Sequence, residues 1–340
     1  MPPWTRLPGS FALAGLLLAA CASAEEASEL RVAAQQHFGA IPPVRSEELQ
    51  DSQVVLGRAL FWDIRLSADG QTACASCHPR AAWGADSRRF SINARGRPTE
   101  RNAQSVFNSQ SASAGLRWVG DRNSGAAQAI GSITGSMGFD DAEDIVPALL
   151  RNGSREIFAE AFPADEAPVS AANYGRALQA YQETLRTPAP FDRWLGGDDS
   201  AIGAAERRGL ERFVSIGCAG CHNGPLLGGT RLERFGIVED FRAHTGSSDA
   251  DRGLMTATDE ASDRDLFRVQ PLRNVTRTAP YFHDGSVPGL DAAIAVMARV
   301  QHGRTLTDAE LEDLIAFLGT LEGDVPAQFA SPVSFPRARQ

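Results

Sequence analysis

The 340-residue chain has no lysine: all 33 of its basic side chains are arginine. Every cation is therefore in the planar fork form, and no role here falls to an ammonium group. Acid outweighs base by 42 residues to 33, a formal charge of −9. That balance disfavours nucleic acid and favours a basic protein partner. Long apolar runs are also missing. The one candidate, Phe11 to Ala20, follows a single charge at Arg6 and is too short for a mature membrane span. It reads as a secretory signal over 1–24, and two cleavage readings compete. Ala22-Ser23-Ala24 fits cleavage before Glu25, whereas Leu18-Ala19-Ala20-Cys21 fits a lipoprotein signal that leaves a lipid anchor on Cys21. Both send the protein out of the cytoplasm, to a bacterial periplasm.

Cysteine is scarce, with five in the chain. Cys21 belongs to the leader, and the other four make up Cys74-Ala75-Ser76-Cys77-His78 and Cys218-Ala219-Gly220-Cys221-His222. In an exported protein disulfides come first to mind, and C-x-x-C alone fits a redox dithiol or half a zinc site. The histidine directly after each pair points elsewhere. Two thiols at that spacing add to the two vinyl groups of haem, and the adjacent histidine lies under the iron. A four-cysteine zinc ribbon would bring its motifs closer together and leave both histidines idle. The motifs therefore imply two covalently bound haem c groups.

Their separation suggests one haem per domain, and the pattern between them is helical. Helices are expected over Ala171–Leu185 and Ala204–Val214. A capping box at Thr307 and Glu310 opens another, with Leu311, Leu314, Ile315, Leu318 and Leu321 on one face and a stop at Gly323. Gly/Ser/Ala-rich sequence between Ser109 and Ser136 and the run Thr245–Asp251 read as loops, and Thr187-Pro188-Ala189-Pro190 as a joint. Period-two alternation is nearly absent. The expected fold is mainly α, with two cytochrome c-like domains, 28–187 and 188–325, each wrapped around one haem. A tail, 326–340, packs on the N-terminal domain.

Histidine is the next shortage. There are six, and none lies between His78 and His222. Most of the first domain thus has no histidine to close the far side of its own haem. His37 could do so only by a folded-back N-terminal segment; it reads with His244 and His302 as surface or loop. Of four methionines, Met297 stands with Leu290 and Ile294 on one helix face, where a methionine is ordinarily core filler.

The residues now reach a family pattern. Leu60-Phe61-Trp62-Asp63-Ile64-Arg65-Leu66-Ser67 precedes the first motif and Arg101-Asn102-Ala103 follows it. Leu272-Arg273-Asn274-Val275 and Thr278-Ala279-Pro280-Tyr281-Phe282-His283-Asp284-Gly285-Ser286 follow the second. From about Leu56 to Gly323 the chain resembles the bacterial di-haem cytochrome c peroxidases, a family that includes the MauG-type enzymes. The resemblance implies that Met297 closes the second haem, where MauG-type enzymes carry tyrosine. It implies that Trp118 relays electrons and that Gln128 lines a peroxide pocket. It also implies that Asn102, Thr278 and Pro280 hold calcium through oxygen atoms. Two positions depart from the family: Ala94 stands where a distal histidine is expected and Ser136 where a catalytic glutamate is expected. Asp140, Asp141 and Glu143 are close enough in sequence to stand in for that acid.

The function so implied is peroxide reduction, with hydrogen peroxide at the N-terminal haem. Electrons would come from a small cytochrome c or cupredoxin by way of the C-terminal haem. The alternatives are a MauG-like oxidase that modifies a protein or small-molecule substrate, and a non-enzymatic electron carrier or peroxide sensor. A homodimer is the assembly to test.

Overall fold

The computed structural model describes residues 28–151 and 153–332. The signal, Cys21 and both cleavage readings lie outside the described residues. Among the described residues no helix is long and apolar enough to cross a membrane.

The chain is mainly helical: α1 (28–35), α2 (Ser52–Trp62), α3 (Cys74–Cys77), α4 (Gly125–Thr134), α5 (Ile145–Arg151), α6 (Arg155–Ala161), α7 (Ala171–Glu183), α8 (Pro190–Leu195), α9 (Ala204–Ile216), α10 (Arg242–Thr245), α11 (Met255–Thr258), α12 (Leu290–His302) and α13 (Asp308–Gly319). Two three-residue strands, β1 (Leu232–Arg234) and β2 (Leu266–Arg268), pair antiparallel with Glu233 opposite Phe267. The capping box forms as the sequence implies: Thr307 Oγ1 accepts from the Glu310 amide at 3.3 Å, and the Thr307 amide donates to Glu310 Oε2 at 2.9 Å. The helix ends earlier than expected, at Gly319, and Leu321 is buried just beyond it. One loop expectation fails outright. Within 109–136 the Ser124 hydroxyl accepts from the Ala127 amide at 3.1 Å and starts α4. Composition pointed to a loop, but the cap and an apolar face at Ala129 and Ile133 outweigh the glycines.

The same construction occurs twice. Helix α2 crosses α7 at Gly57, where an added Cβ would fall 1.9 Å from the Ala177 carbonyl oxygen and 2.8 Å from Tyr181 Cβ. Helix α9 crosses α13 at Gly209, where it would fall 1.9 Å from the Asp313 carbonyl oxygen and 2.7 Å from Phe317 Cβ. In both crossings the absent side chain lets two backbones touch. Asn108 and Asn274 repeat the relation further along. Both take the left-handed conformation that asparagine tolerates, at φ 58° and 61°. Their Nδ2 groups converge on one hydroxyl, Thr187 Oγ1, at 2.8 and 2.9 Å.

The two main cores divide between Leu185 and Phe191, near the expected split at 187/188, but the N-terminal segment packs with the second half. Ala34 and Phe38 are buried with Phe191, Trp194, Phe213 and Phe317. Phe329 is buried with Leu56, Phe61, Phe158 and Tyr181. The two ends therefore cross, each completing the core of the opposite half. Polar anchors hold them there. Arg31 pairs with Asp199 at 2.8 Å, and the His37 carbonyl accepts from the Gly224 amide at 2.8 Å. At the other end Arg80 donates to the Pro326 carbonyl at 2.9 Å and to the Phe329 carbonyl at 2.6 Å. Thr187 and Ala189 are 1% exposed, so the joint is buried and is not a free linker.

A buried ion pair fixes the joint to everything around it. Arg273 meets Asp192 through two 2.8 Å bonds, and neither side chain reaches solvent appreciably. Asp192 also accepts from the Ile41 and Ala189 amides at 2.7 Å each. Arg273 Nε donates to the Pro225 carbonyl at 2.8 Å.

Two stability measurements test this frame. Gly209→Ala should lower the free energy of chemical denaturation by about 1–3 kcal/mol, since overpacking outweighs the propensity gain of about 1 kcal/mol that alanine normally brings to a helix. Asp192→Ala should cost about 3–5 kcal/mol because it leaves a buried guanidinium unpaired. A neutral outcome for Gly209→Ala would show that the helices can separate without loss.

Candidate functional site

Each C-x-x-C-H motif forms one tight turn. The His78 amide closes it on the Cys74 carbonyl at 3.1 Å, and the His222 amide on the Cys218 carbonyl at 2.9 Å. The turn places both thiols and the imidazole on one side. His78 Nδ1 lies 2.9 Å from the Gly84 carbonyl oxygen, and His222 Nδ1 lies 3.1 Å from that of Leu227. A carbonyl only accepts, so Nδ1 carries the hydrogen and Nε2 keeps its lone pair for a metal. Burial holds both imidazoles below their ordinary range, hence neutral. Burial also pushes the Cys74 thiol up to about 12 and the Cys218 thiol up to about 11. Such thiols are neutral in the folded chain.

The second motif opens on a cavity of about 310 Å³. Cys218, Cys221 and His222 line it together with Met297 of α12. The helix-face reading of Leu290, Ile294 and Met297 holds, and all three line this cavity. Phe213, Ile216 and Leu314 supply further apolar wall. This lining, with its thiols, a neutral imidazole and a thioether, fits a haem. His302 also borders the cavity, whereas His244 pairs with Glu239 at 2.9 Å. His37 is exposed and lies against the second half, so it does not fold back on the first motif.

Trp118 borders the same cavity, packed with Phe235, Phe241 and Met297. Its Nε1 donates to the Asn102 carbonyl at 2.8 Å. Asn102 is 7% exposed; its Nδ2 donates to the Arg88 and Arg89 carbonyls at 2.9 and 3.3 Å, which turns Oδ1 away from them. Thr278 and Pro280 border the same cavity as Asn102. Among the described residues there is no cluster of three or more His, Cys, Asp and Glu side chains that could hold a metal, which leaves amide and carbonyl oxygens as the donors for a hard cation.

Around the first motif the Cys74 side chain faces Tyr174, whose buried hydroxyl has no hydrogen-bond partner. Ser132 of α4 faces the same hydroxyl. Gln128 precedes Ser132 by four residues, so it lies on that face of α4, half-buried. The two positions that depart from the family pattern are neighbours: the Ala94 amide donates to the Ser136 carbonyl at 2.9 Å. The three nearby acids turn outward. Asp140 has 93% of its side chain exposed and pairs with Arg95 at 2.7 Å. Asp141 is spent on capping the Glu143 amide at 2.8 Å, and Glu143 itself is exposed.

Sequence reasoning missed three polar residues, the buried Arg268 and the half-buried Gln104 and Gln270. Gln104, Gln270 and Arg268 all border the second cavity, and the Gln104 and Gln270 side chains hydrogen-bond to each other. The His78 ring faces the Gln104 backbone and the His222 ring the Gln270 backbone. No spacing marks these residues; only the two strings Asn-Ala-Gln and Val-Gln-Pro, each followed four residues on by the left-handed asparagine, hint that they correspond.

Comparison with known proteins agrees with this geometry. The family profile described as di-haem cytochrome c peroxidase matches residues 51–200. Cytochrome c551 peroxidase of Pseudomonas aeruginosa is 36% identical over 321 residues, covering 92% of each chain. Methylamine utilization protein MauG of Methylorubrum extorquens is 30% identical over 342 residues, covering 95% of this chain and 94% of the relative. A crystal structure of a MauG-like protein associated with microbial copper homeostasis superposes with a TM-score of 0.73 at 27% identity, covering 86% of this chain and 97% of that one.

Proposed function

The chain belongs to the bacterial di-haem cytochrome c peroxidase family, and from that footing we propose that it reduces hydrogen peroxide to two waters with two protons and two electrons drawn from a small periplasmic cytochrome c or cupredoxin. One observation carries the reading: the two motif turns have matching geometry but unequal surroundings. His222 shares its cavity with Met297, whereas His37, His244 and His302 all lie against the second half. The residues around each motif fit one covalently attached haem per half. When bound, the haem irons supply the electron transfer and the peroxide chemistry.

Each residue then has a defined task. Cys74 and Cys77, and Cys218 and Cys221, anchor the porphyrins through thioethers. His78 and His222 each offer Nε2 to an iron. Met297 closes the second site, and thioether ligation favours the reduced state, which suits electron entry. Trp118, held by Asn102, sits between that cavity and the 101–108 segment leading into the first half. Gln128 orients peroxide through its amide. It cannot carry a proton at neutral pH, and the nearby acids point to solvent. The missing acid/base group is the kind that contributes ~10²–10⁴-fold. This enzyme is therefore slower than a relative that keeps the glutamate. Asn102, Thr278 and Pro280 hold a calcium ion that ties 101–104 to 278–283. Export by the 1–24 signal, with a lipid anchor at Cys21, completes the proposal; the intact mass of native protein decides between Cys21 and Glu25 as its first residue.

The open first site is also what a MauG-like oxidase needs, while Met297 stands against that reading. Incubation with peroxide and candidate partners, followed by mass spectrometry, separates the two; the peroxidase reading expects no modified partner.

EPR of the oxidised protein should show one high-spin and one low-spin haem. Met297→Ala should convert the low-spin signal to high-spin and leave the other unchanged. Two low-spin signals in the unaltered protein would overturn the ligand assignment. In stopped-flow mixing of peroxide with half-reduced protein, Gln128→Ala should slow oxidation by about tenfold or more, and Asp140→Asn should leave it within about twofold, as for other exposed sites away from the chemistry.

A further inference from the structure

Two arginines of the second half, Arg268 and Arg273, are each 5% exposed. Arg273 has Asp192 as its counter-ion. Arg268 has none among the described residues. Its guanidinium donates to the Gly115 carbonyl at 3.1 Å and to Gln270 Oε1 at 3.3 Å, and its Nε has no partner at all. Burial alone draws its pKa down to about 10; Glu233, a carboxylate on the same cavity wall, pairs instead with Arg231 at 3.3 Å. A buried charge without a counter-ion is strongly unfavourable, and a planar fork is the group best matched to a carboxylate.

The side chain is also aimed and fixed. Arg268 ends β2 and borders the cavity shared by Cys218, Cys221, His222 and Met297. Its amide donates to the Trp118 carbonyl at 2.8 Å, and its own carbonyl accepts from Gln270 Nε2 at 2.9 Å. Gln104 binds the same Gln270 oxygen that Arg268 does. An uncompensated cation is thus held rigidly on the wall of an otherwise largely apolar cavity, on the side facing Gln104 and the first half.

We propose that Arg268 seats a carboxylate brought in with the cofactor: a propionate of the haem attached at Cys218 and Cys221 pairs with its guanidinium. The inference rests on the reading of this cavity as a haem site. The propionates are the anionic groups of a haem, so the haem that fills the cavity also supplies the missing counter-ion. Arg268 then does two things. It holds one propionate of the already anchored porphyrin on the side toward the first half. It also keeps propionate charge from lowering the potential of the iron that receives electrons.

The test is spectroelectrochemical titration of the haem-loaded protein from about pH 5 to 8, a span above the ordinary carboxylate range. In the unaltered protein the midpoint of the His222/Met297 haem should be flat across that span. In Arg268→Gln it should fall by at least tenfold in the reduction equilibrium, 59 mV for one electron, and should depend on pH as the unpaired propionate takes up a proton. Arg268→Lys, which keeps the charge, should recover most of the midpoint. An unchanged midpoint and pH profile in Arg268→Gln overturns the assignment. If that variant does not retain haem, a crystal structure of the unaltered haem-loaded protein decides. A propionate oxygen within hydrogen-bond distance of Arg268 supports the assignment, and propionates placed elsewhere overturn it. Mass spectrometry of the Cys218–Cys221 peptide separates the two failures. Absence of haem there removes the cavity reading itself, whereas haem present with a free guanidinium removes only the role of Arg268.

Discussion

The buried pair between Arg273 and Asp192 is the constraint on which the arrangement rests. Four segments distant in sequence meet at it: the N-terminal stretch through Ile41, the joint through Ala189, the loop after the second motif through Pro225, and the segment that carries Arg273. A buried ion pair is weak evidence for net stability, since desolvation offsets much of the attraction. Its value here is geometric. The Ile41, Ala189 and Pro225 backbones bond to the pair, which fixes how the four segments meet. The loop that presents the Leu227 carbonyl to His222 follows directly from Pro225, and the orientation of that imidazole depends on the pair at one remove.

Thr187 plays the corresponding part between the halves. One hydroxyl accepts from two asparagines that occupy matching places, and Thr187 itself is buried. A flexible joint would leave the distance between the two motif sites to thermal motion. A buried one fixes it, which matters for electron transfer between two centres that must neither touch nor drift apart. The same repetition throws the differences into relief. Both motif turns close alike and both histidines donate to a carbonyl. The second shares a cavity with Met297, and the Cys74 side chain of the first faces Tyr174.

The sequence made the two motif turns legible because they are local. The C-x-x-C-H spacing needs one turn, and the face shared by Leu290, Ile294 and Met297 needs only a helix, so both could be read without a fold. The capping box at Thr307 likewise needs four residues. What escaped was everything set by distant pairing. Helix α4 was hidden by small residues whose helix is decided by the Ser124 cap and by packing against α7. Asp140, Asp141 and Glu143 looked able to replace a lost acid by proximity in sequence, yet the turn at Gly138 carries them to the surface. Gln104, Gln270 and Arg268 carry no motif, and their meeting at one cavity depends on 160 or so residues of intervening chain.

The crossed ends have a consequence for how the molecule comes into being. A chain is made from its N-terminus, and the leading half ordinarily folds first. Here the first core lacks its central aromatic, Phe329, until nearly the whole chain exists, because that ring fills the space among Phe61, Trp62 and Phe107. Residues 28–41, made early, have nothing to pack on until the second half follows. Neither half can close ahead of the other. Cys74 and Cys77 thus belong to an unfinished core for most of the time the chain is being made. That interval, before a ring from the far end seals the fold, leaves the thiols open to whatever joins them to their haem.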